Sequence, residues 1–258
     1  VRTADIRAKV KGNFGRKILF YETVDSTNTI AADLPEKTPE GTVILADCQE
    51  KGRGRLGRLW LSPRGVNIYM SVILRPDLKP RDTTLITLMA AVACALAIRR
   101  VTGISVTIKW PNDLMVSGRK IGGILTEMKT TRDRIVSVVV GIGINVNGEL
   151  GSFPEEIRGM ATSVRNETGE VFSRERIIAE ILNEMNRWYP FLRVQSREVL
   201  LSEWKHLSST LGKEVRVTTG QETFSGCAES IDNEGLLLLR LPSGELKSIS
   251  SGDLTILR

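Results

Sequence analysis

Four short stretches of the 258-residue chain carry residue types that could do chemistry. The first is Gly52-Arg-Gly-Arg-Leu-Gly-Arg58, followed by Trp60 and by Ser62-Pro63-Arg64-Gly65. Glycines at close spacing let a backbone curl and expose its N–H groups. The interleaved arginines add rigid five-donor forks for phosphate or carboxylate. The stretch is neither a Walker A loop, which ends Gly-Lys-Ser/Thr, nor a Gly-x-Gly-x-x-Gly opening a helix. A solvated arginine–glycine segment that binds nucleic acid, or nothing, is the competing reading.

The second stretch is Lys109-Trp-Pro-Asn-Asp113. Pro111 ends a strand there, so the following side chains project from a strand end, where α/β proteins hold ligands. Lys109 can meet a phosphate or carboxylate. Asp113 can hold a metal ion, accept a hydrogen bond or take a proton. A plain turn capped by Asn112 and Asp113 explains the same residues. The third is Gly118-Arg-Lys-Ile-Gly-Gly-Ile-Leu-Thr-Glu127, where Lys120 lies just past a tight turn and Gly122-Gly123 permits close approach; a solvated turn lysine is the alternative. The fourth is Gly141-Ile-Gly-Ile-Asn-Val-Asn147. Glycine weakens a central strand unless something must come close, and the amide of Asn145 suits a purine edge.

The elements that would position these residues follow from hydrophobic period and turn signals. Ile18 to Glu22 predicts a strand, and Asp25, Ser26 and Thr27 offer N-caps to a helix over Asn28 to Leu34, stopped by Pro35. Thr42 to Ala46 predicts a buried strand. Gln49 to Gly65 predicts a long loop poor in anything that could build a core, with Glu50 to Gly65 mobile until a ligand orders it. Asn67 to Leu74 alternates as a strand, and Thr84 to Val101 predicts a helix with an alanine-rich apolar face. Val106, Ile108 and Trp110 share a strand face, Ser117-Gly118 makes a hairpin turn, and Ile135 to Ile144 predicts a central strand. A long amphipathic helix is expected within Arg174 to Val194. From Leu211 the short strands Val215 to Thr218, Gly226 to Ser230, Leu236 to Leu241 and Leu246 to Ile249 predict a small barrel.

Composition narrows the function classes. The formal charge is +6, and 41% of residues are hydrophobic. Lys51 to Arg64 holds five basic residues and no acidic one, so the positive field is local. Three scattered cysteines and the single His206 argue against a disulfide framework and a zinc site, and for a reducing compartment. The apolar run Leu85 to Ile98 is too short for a membrane span. Val1-Arg-Thr-Ala-Asp5 lacks the apolar core of a signal peptide.

Taken in order, the motifs Asp25-Ser-Thr-Asn28, Ala46-Asp-Cys-Gln49, Gly52-Arg-Gly-Arg-Leu-Gly-Arg58 with Trp60, Lys109-Trp-Pro-Asn-Asp113, Gly118-Arg-Lys120 and Gly141-Ile-Gly-Ile-Asn-Val146 resemble the catalytic core of the biotin–protein ligase family. The resemblance runs from about Gly15 to nearly the end of the chain. It implies an α+β fold: a mixed β-sheet backed by helices, related to the class II aminoacyl-tRNA synthetase core, followed by a small SH3-like β-barrel. The expected division is a connector over 1–17, a biotin- and ATP-binding catalytic domain over 18–208, and the barrel over 211–258. Bifunctional members carry a winged-helix DNA-binding domain in front, which does not fit in residues 1–17. Either the short type or a piece of a longer chain agrees with that.

The resemblance also implies roles. Ser26, Thr27 and Gln49 would contact the biotin ureido ring and pocket, Asn28 would be a further ligand-binding residue, and Gly52 and Arg53 would line biotin and the adenylate. Arg55 and Arg58 would order the loop and handle phosphates, beside Trp60. Lys109, Asn112 and Asp113 would form the phosphate corner, Asp113 holding Mg²⁺. Lys120 would sit at the carboxylate and adenylate linkage, with Gly123 and Gly143 close by and Asn145 near the adenine. Lys120, Arg55, Asp113 and Lys109 would be the catalytic residues. Biotin and ATP would be substrates, and the partner would be a biotin carboxyl carrier protein or domain of a biotin-dependent carboxylase. A homodimer is compatible; DNA binding by this chain alone, and membrane contact, are not expected; the location would be cytoplasmic. Glu50-Lys51 is more charged than the family pattern.

Two rivals are a lipoate–protein ligase or octanoyl transferase, which shares the fold, and a nucleic-acid module using Lys51 to Arg64. Aromatics at 5% are poor for the second. Lys120→Ala is expected to lower biotin-dependent pyrophosphate exchange about a hundredfold with the fold intact; near-normal exchange would refute the assignment of Lys120.

Overall fold

The computed structural model describes residues 1–131, 134–192 and 196–257. Helix α1 (Thr3–Arg7) precedes strand β1 (Ile18–Val24), helix α2 (Thr27–Asp33) and strands β2 (Val43–Gln49) and β3 (Ile68–Leu74). Helix α3 (Thr83–Thr102) leads to β4 (Thr107–Lys109), β5 (Asp113–Val116), β6 (Arg119–Thr131) and β7 (Arg134–Ile144). Next come α4 (Glu155–Arg158), α5 (Val164–Thr168), α6 (Arg174–Trp188) and α7 (Arg197–Leu207). The chain ends with β8 (Glu214–Thr219), β9 (Glu222–Ile231), β10 (Leu237–Arg240), β11 (Leu246–Ile249) and β12 (Asp253–Ile256).

The first seven strands form a sheet in the order β1-β2-β3-β7-β6-β5-β4. Only β1 and β2 are parallel; the other pairs are antiparallel, so the sheet is mixed. The β-branched segment ending at Ile144 is its middle strand, as its composition predicts. Because strand side chains alternate between faces, β7 sends Val138, Val140, Ile142 and Ile144 into the large core beneath α3 and α6. Val139 faces the other way, against Ala31 of α2. Gly141 and Gly143 share that second face. The fold is therefore α+β, with helices on both faces. Strands β8 to β12 form the five-stranded antiparallel SH3-like unit in the order β11-β10-β9-β8-β12.

Several expectations change in detail. Strand β3 does not alternate in burial; all seven residues are buried, because helices cover both faces. Helix α3 is buried around its circumference rather than along one face. With the preceding turn it is also longer than expected: Pro80–Thr102 is long and apolar enough to cross a membrane, yet 67% of its apolar window is buried inside the protein. Such burial marks a core helix. The helix expected to reach Val194 ends at Trp188, where a 3₁₀ turn over Tyr189–Leu192 contains Pro190, which lacks an N–H to continue the ladder. Residues 193 and 194, like 258 at the end of the expected barrel, lie outside the described residues. Helix α7 was not anticipated, although Leu200, Leu201, Trp204 and Leu207 are its buried apolar positions at helical spacing. Strand β12 was not anticipated either. Lys109 to Asp113 is a tight hairpin between antiparallel strands, not the open end of a parallel strand.

The two sheets share one continuous core, which includes Val215, Ala228 and Leu237 beside α3 and α7. Trp110 joins them: its backbone N–H donates to Thr210 Oγ1 at 2.9 Å and its indole N–H to the Gly235 carbonyl at 3.3 Å. Gly235 has φ +81°, and a Cβ there would lie 2.8 Å from Leu88 Cδ1. Gly235→Ala should therefore cost about 1–3 kcal/mol, from the strained φ and the overpacked contact. A lowered urea midpoint is the expected result, and an unchanged one would mean the sheets dock by other contacts.

Candidate active site

On the α2 face, β6 and β7 pair Gly123 with Gly143 and Leu125 with Gly141. A Cβ on Gly141 would stand 2.2 Å from Asn28 Oδ1, and one on Gly143 would stand 2.6 Å from the Trp60 indole. A Cβ on Gly123 would crowd Lys120 Cε and Nζ at 3.3 and 3.4 Å, and Trp60 at 3.5 Å. The glycines thus clear a window for the protein's own Asn28, Trp60 and Lys120. Lys120 Nζ lies 5.6 Å from the Trp60 ring centroid, a cation–π distance. The Trp60 indole N–H is buried without a partner among the described residues, a donor left for a ligand acceptor.

One side of this window is polar and nearly neutral. Gln49 Oε1 accepts from the Thr27 backbone N–H at 2.9 Å and from Thr27 Oγ1 at 3.2 Å. Gln49 Nε2 donates to Ser62 Oγ at 2.9 Å. Ser71 Oγ is 2.8 Å from Thr27 Oγ1 and 2.6 Å from Asn28 Oδ1, so its single hydrogen serves one of them at a time. Ser26 occupies the N-cap position of α2 but makes no side-chain cap bond; the first orphan N–H goes to Gln49 instead. A Cβ on Gly52 would collide with the Trp60 carbonyl at 2.3 Å, Ser62 Oγ at 2.7 Å and Gln49 Nε2 at 3.0 Å. Thr27, Asn28, Gln49 and Gly52 are therefore together with Ser62 and Ser71, and Ser26 precedes them at the start of α2.

The opposite side is charged. Lys120 Nζ pairs with Asp113 Oδ1 at 2.5 Å, and Asp113 stands beside Gly123 in register. Arg55 Nη1 donates to Asn112 Oδ1 at 3.1 Å, and Asn112 Nδ2 donates to the Ile124 carbonyl at 2.8 Å. Burial, opposed by Asp113 and Asp253, pulls the Arg55 pKa down. Lys120 is also bonded along its backbone to the segment 160–162, whose Thr162 carbonyl accepts from Asn145 Nδ2 at 3.0 Å. That segment brings Asn145, which is buried, next to Lys120. Lys109 stands opposite Asp113 in the hairpin and has no ion-pair partner among the described residues.

The loop is not the free basic platform its composition suggests. It is a small hairpin: Gly54 N–H donates to the Arg58 carbonyl and Trp60 N–H to the Gly52 carbonyl. Lys51 pairs with Asp25 at 2.9 Å, Arg53 with Glu127 at 2.8 Å and Arg58 with Asp253 at 2.6 Å. Arg64 has Asp47 at 3.8 Å and Glu22 at 3.9 Å. Distant segments supply the counter-ions, which the local charge count could not reveal. The Arg58 guanidinium also lowers the Asp253 pKa. Leu56 sits at φ 54° at the hairpin tip.

No cluster of three His, Cys, Asp or Glu able to hold a metal occurs among the described residues. The donor set fits Mg²⁺ only in part: Asp113 offers one carboxylate, and a nucleotide's phosphates and water would complete the octahedron.

A polar network and a lysine–carboxylate corner thus share one glycine window, and the chain that builds them is similar to known proteins. Residues 20–145 match the profile of the biotin/lipoate A/B protein ligase family, and residues 210–254 match the biotin protein ligase C-terminal domain. The bifunctional ligase/repressor BirA of Bacillus spizizenii is 40% identical over 94% of this chain and 74% of its own length. The chain belongs to the biotin–protein ligase family. Among other members, the biotin–[acetyl-CoA-carboxylase] ligase of Paracoccus denitrificans is 32% identical over 85% of this chain and 92% of its own. The Aquifex aeolicus biotin protein ligase, solved in complex with biotin and ATP, superposes with a TM-score of 0.81. It is 30% identical, over 94% of this chain and 99% of its own.

Sequence reasoning about this biotin–protein ligase family member missed Glu127, Ser71 and Asp253. Glu127 was legible, because it follows Gly123 and Leu125 at period two on the same face of β6. Gly143→Ala is expected to displace Trp60 and raise the Kd for the ligand of the window tenfold or more, while Gly151→Ala, with open space around it, should not. Calorimetric titration with biotin checks this; equal affinities would show that Trp60 is not part of the binding surface.

Proposed function

We propose that this chain is an ATP-dependent biotin–protein ligase. It activates biotin as biotinoyl-5'-AMP, releasing pyrophosphate, and transfers the biotinoyl group to a lysine ε-amine on a biotin carboxyl carrier protein or domain. The observation that carries the reading is the juxtaposition across Gly123 and Gly143. The Thr27–Gln49–Ser62 network offers donors and acceptors matched to a neutral ureido ring, and Lys120 waits on the other side of the window.

In the first step a biotin carboxylate oxygen attacks the α-phosphorus, and the bond to pyrophosphate breaks. Negative charge grows on the phosphoryl oxygens, and a fixed cation there lowers the barrier. Lys120 takes that role in this reading, held in position by Asp113 at 2.5 Å. Arg55, held on Asn112, is the second cation, and its partial burial strengthens its field on a nearby phosphate. Lys109 lies beside the same corner, and Asn145 faces it through the 160–162 segment. Mg²⁺ would arrive with ATP and supply Lewis acidity at the phosphates, with Asp113 as its protein ligand. In the second step the acceptor amine attacks the acyl carbon, and AMP leaves with the electrons of the mixed-anhydride bond. The hairpin over the window excludes water from that anhydride meanwhile. A homodimer and a cytoplasmic location belong to the same reading.

The biotin-type C-terminal match favours biotin over lipoate as substrate. Pyrophosphate exchange that requires biotin, and is not supported by lipoate, is the expected result. Exchange driven equally by lipoate would overturn the substrate assignment, and exchange with neither would overturn the ligase reading.

A further inference from the structure

Glu127 stands at a point where the Asn28 side of the window meets the arginine hairpin. Its Oε2 accepts from Asn28 Nδ2 at 2.7 Å and from Arg53 Nη2 at 2.8 Å. Asn28 cannot drift from this arrangement easily. It is buried, its Oδ1 fills the space that a Cβ on Gly141 would take, and its Nδ2 also reaches the Leu125 carbonyl at 3.3 Å. Arg53 is held in register by its bridge to Leu59 across the hairpin. One carboxylate oxygen therefore receives one donor from the pocket floor and one from the loop. No other described carboxylate does so: Asp25, Asp47 and Asp253 bind the loop cations but receive no bond from α2 side chains.

The stoichiometry of donors leaves Arg53 free for a second task. A guanidinium has five N–H donors in a planar fork, and only Nη2 is committed, to Glu127. The committed edge fixes the plane of the fork, and the remaining donors are available to an anion at the window. A ligand that braces Asn28 further would steady the acceptor it shares with Arg53, and through it the hairpin. The carboxylate must be charged to serve both donors well, since charge-assisted bonds are about twice as strong as neutral ones.

We propose that Glu127 is a positioning residue that couples occupation of the Asn28 pocket to closure of the hairpin through Arg53. It touches neither reacting atoms nor ligand; it acts through Arg53 and Asn28. The inference rests on the biotin ligase reading and deepens it. Its consequence is specific. Losing Glu127 should loosen retention of the acyl adenylate and the apparent affinity for biotin more than it changes the use of ATP.

The test compares wild type, Glu127→Ala and the near-isosteric Glu127→Gln as full chains. Radiolabelled biotinoyl-AMP is formed in place from biotin and ATP, and its release is followed by filter retention. KM values for biotin and ATP come from pyrophosphate exchange, and Tm is recorded for each variant. Removing a charge-assisted contact should speed release and raise the biotin KM about tenfold in Glu127→Ala. Glu127→Gln, which keeps an acceptor but loses the charge, should fall between, with the ATP KM within about twofold of wild type. In an Arg53→Ala background, Glu127→Ala should add much less than it does alone, because the two act through one contact. Unchanged release in Glu127→Gln and Glu127→Ala would overturn the proposal. So would equal rises in both KM values with a matching fall in Tm, which is the pattern of a purely structural residue. If Glu127→Ala does not fold, Glu127→Gln alone decides by the same criteria. Absence of adenylate in the wild type is a separate outcome, which overturns the ligase reading that the proposal rests on.

Discussion

Two central strands of the seven-stranded sheet lack side chains at three positions on one face, and the rest of the candidate site depends on that gap. Gly123 and Gly143 are cross-strand neighbours, and Gly141 follows two residues along. Each would meet another side chain within about van der Waals contact or closer if it carried a Cβ. The gap admits Trp60 from the hairpin, Asn28 from α2 and Lys120 from the start of β6. The loss of strand propensity that glycine brings, roughly 0.5–1 kcal/mol per residue, is offset by burial elsewhere in β7. That strand is apolar on its other face over its whole central length. The candidate site residues Asn28, Trp60 and Lys120 are arranged around this gap.

Magnitudes then decide how tightly the hairpin covers the gap. Its ion pairs to Glu127 and Asp253 join side chains that are each between about a third and two thirds exposed. Exposed pairs contribute about 0.2–1 kcal/mol apiece. The Arg55–Asn112 bond adds a contribution of similar size. Such anchors hold the loop by a few kcal/mol at most. That is enough to favour a defined closed geometry and little enough for the loop to open for substrates and acceptor. Covering by a core-packed element would close the site more tightly and trap its product.

The stretches that meet at the glycine window were legible in the sequence, because glycine, arginine and proline punctuate it at short range. The central strand, the Ser117-Gly118 hairpin and the long helices were equally legible from period and turn chemistry. What stayed hidden depends on distant parts of the chain. The counts in Lys51 to Arg64 suggested an uncompensated positive surface, but Asp25, Glu127 and Asp253 come from three other elements. Burial of β3 on both faces could not be seen locally either, since it depends on α2 and α3 arriving from opposite sides. The glycines of β7 were correctly read as marking a close approach. What approaches is the protein's own Asn28 and Trp60, a fact of tertiary register rather than of the motif.

The second sheet is part of the same argument. It shares the core of the first through Trp110 and Gly235, so its position relative to the window is fixed by packing. From that fixed position Asp253 receives both terminal nitrogens of Arg58, at 3.2 and 2.6 Å. A two-point contact of this kind fixes direction as well as distance. The hairpin is thus oriented from three sides: by Glu127 on the large sheet, by Asn112 at the β4–β5 turn, and by Asp253 on the small one. A loop tied to only one body would share that body's motions. Tied to both, it stays closed only while the two sheets keep their mutual position. The small sheet, which contributes no residue to the glycine window, therefore acts on the site through where it holds Arg58.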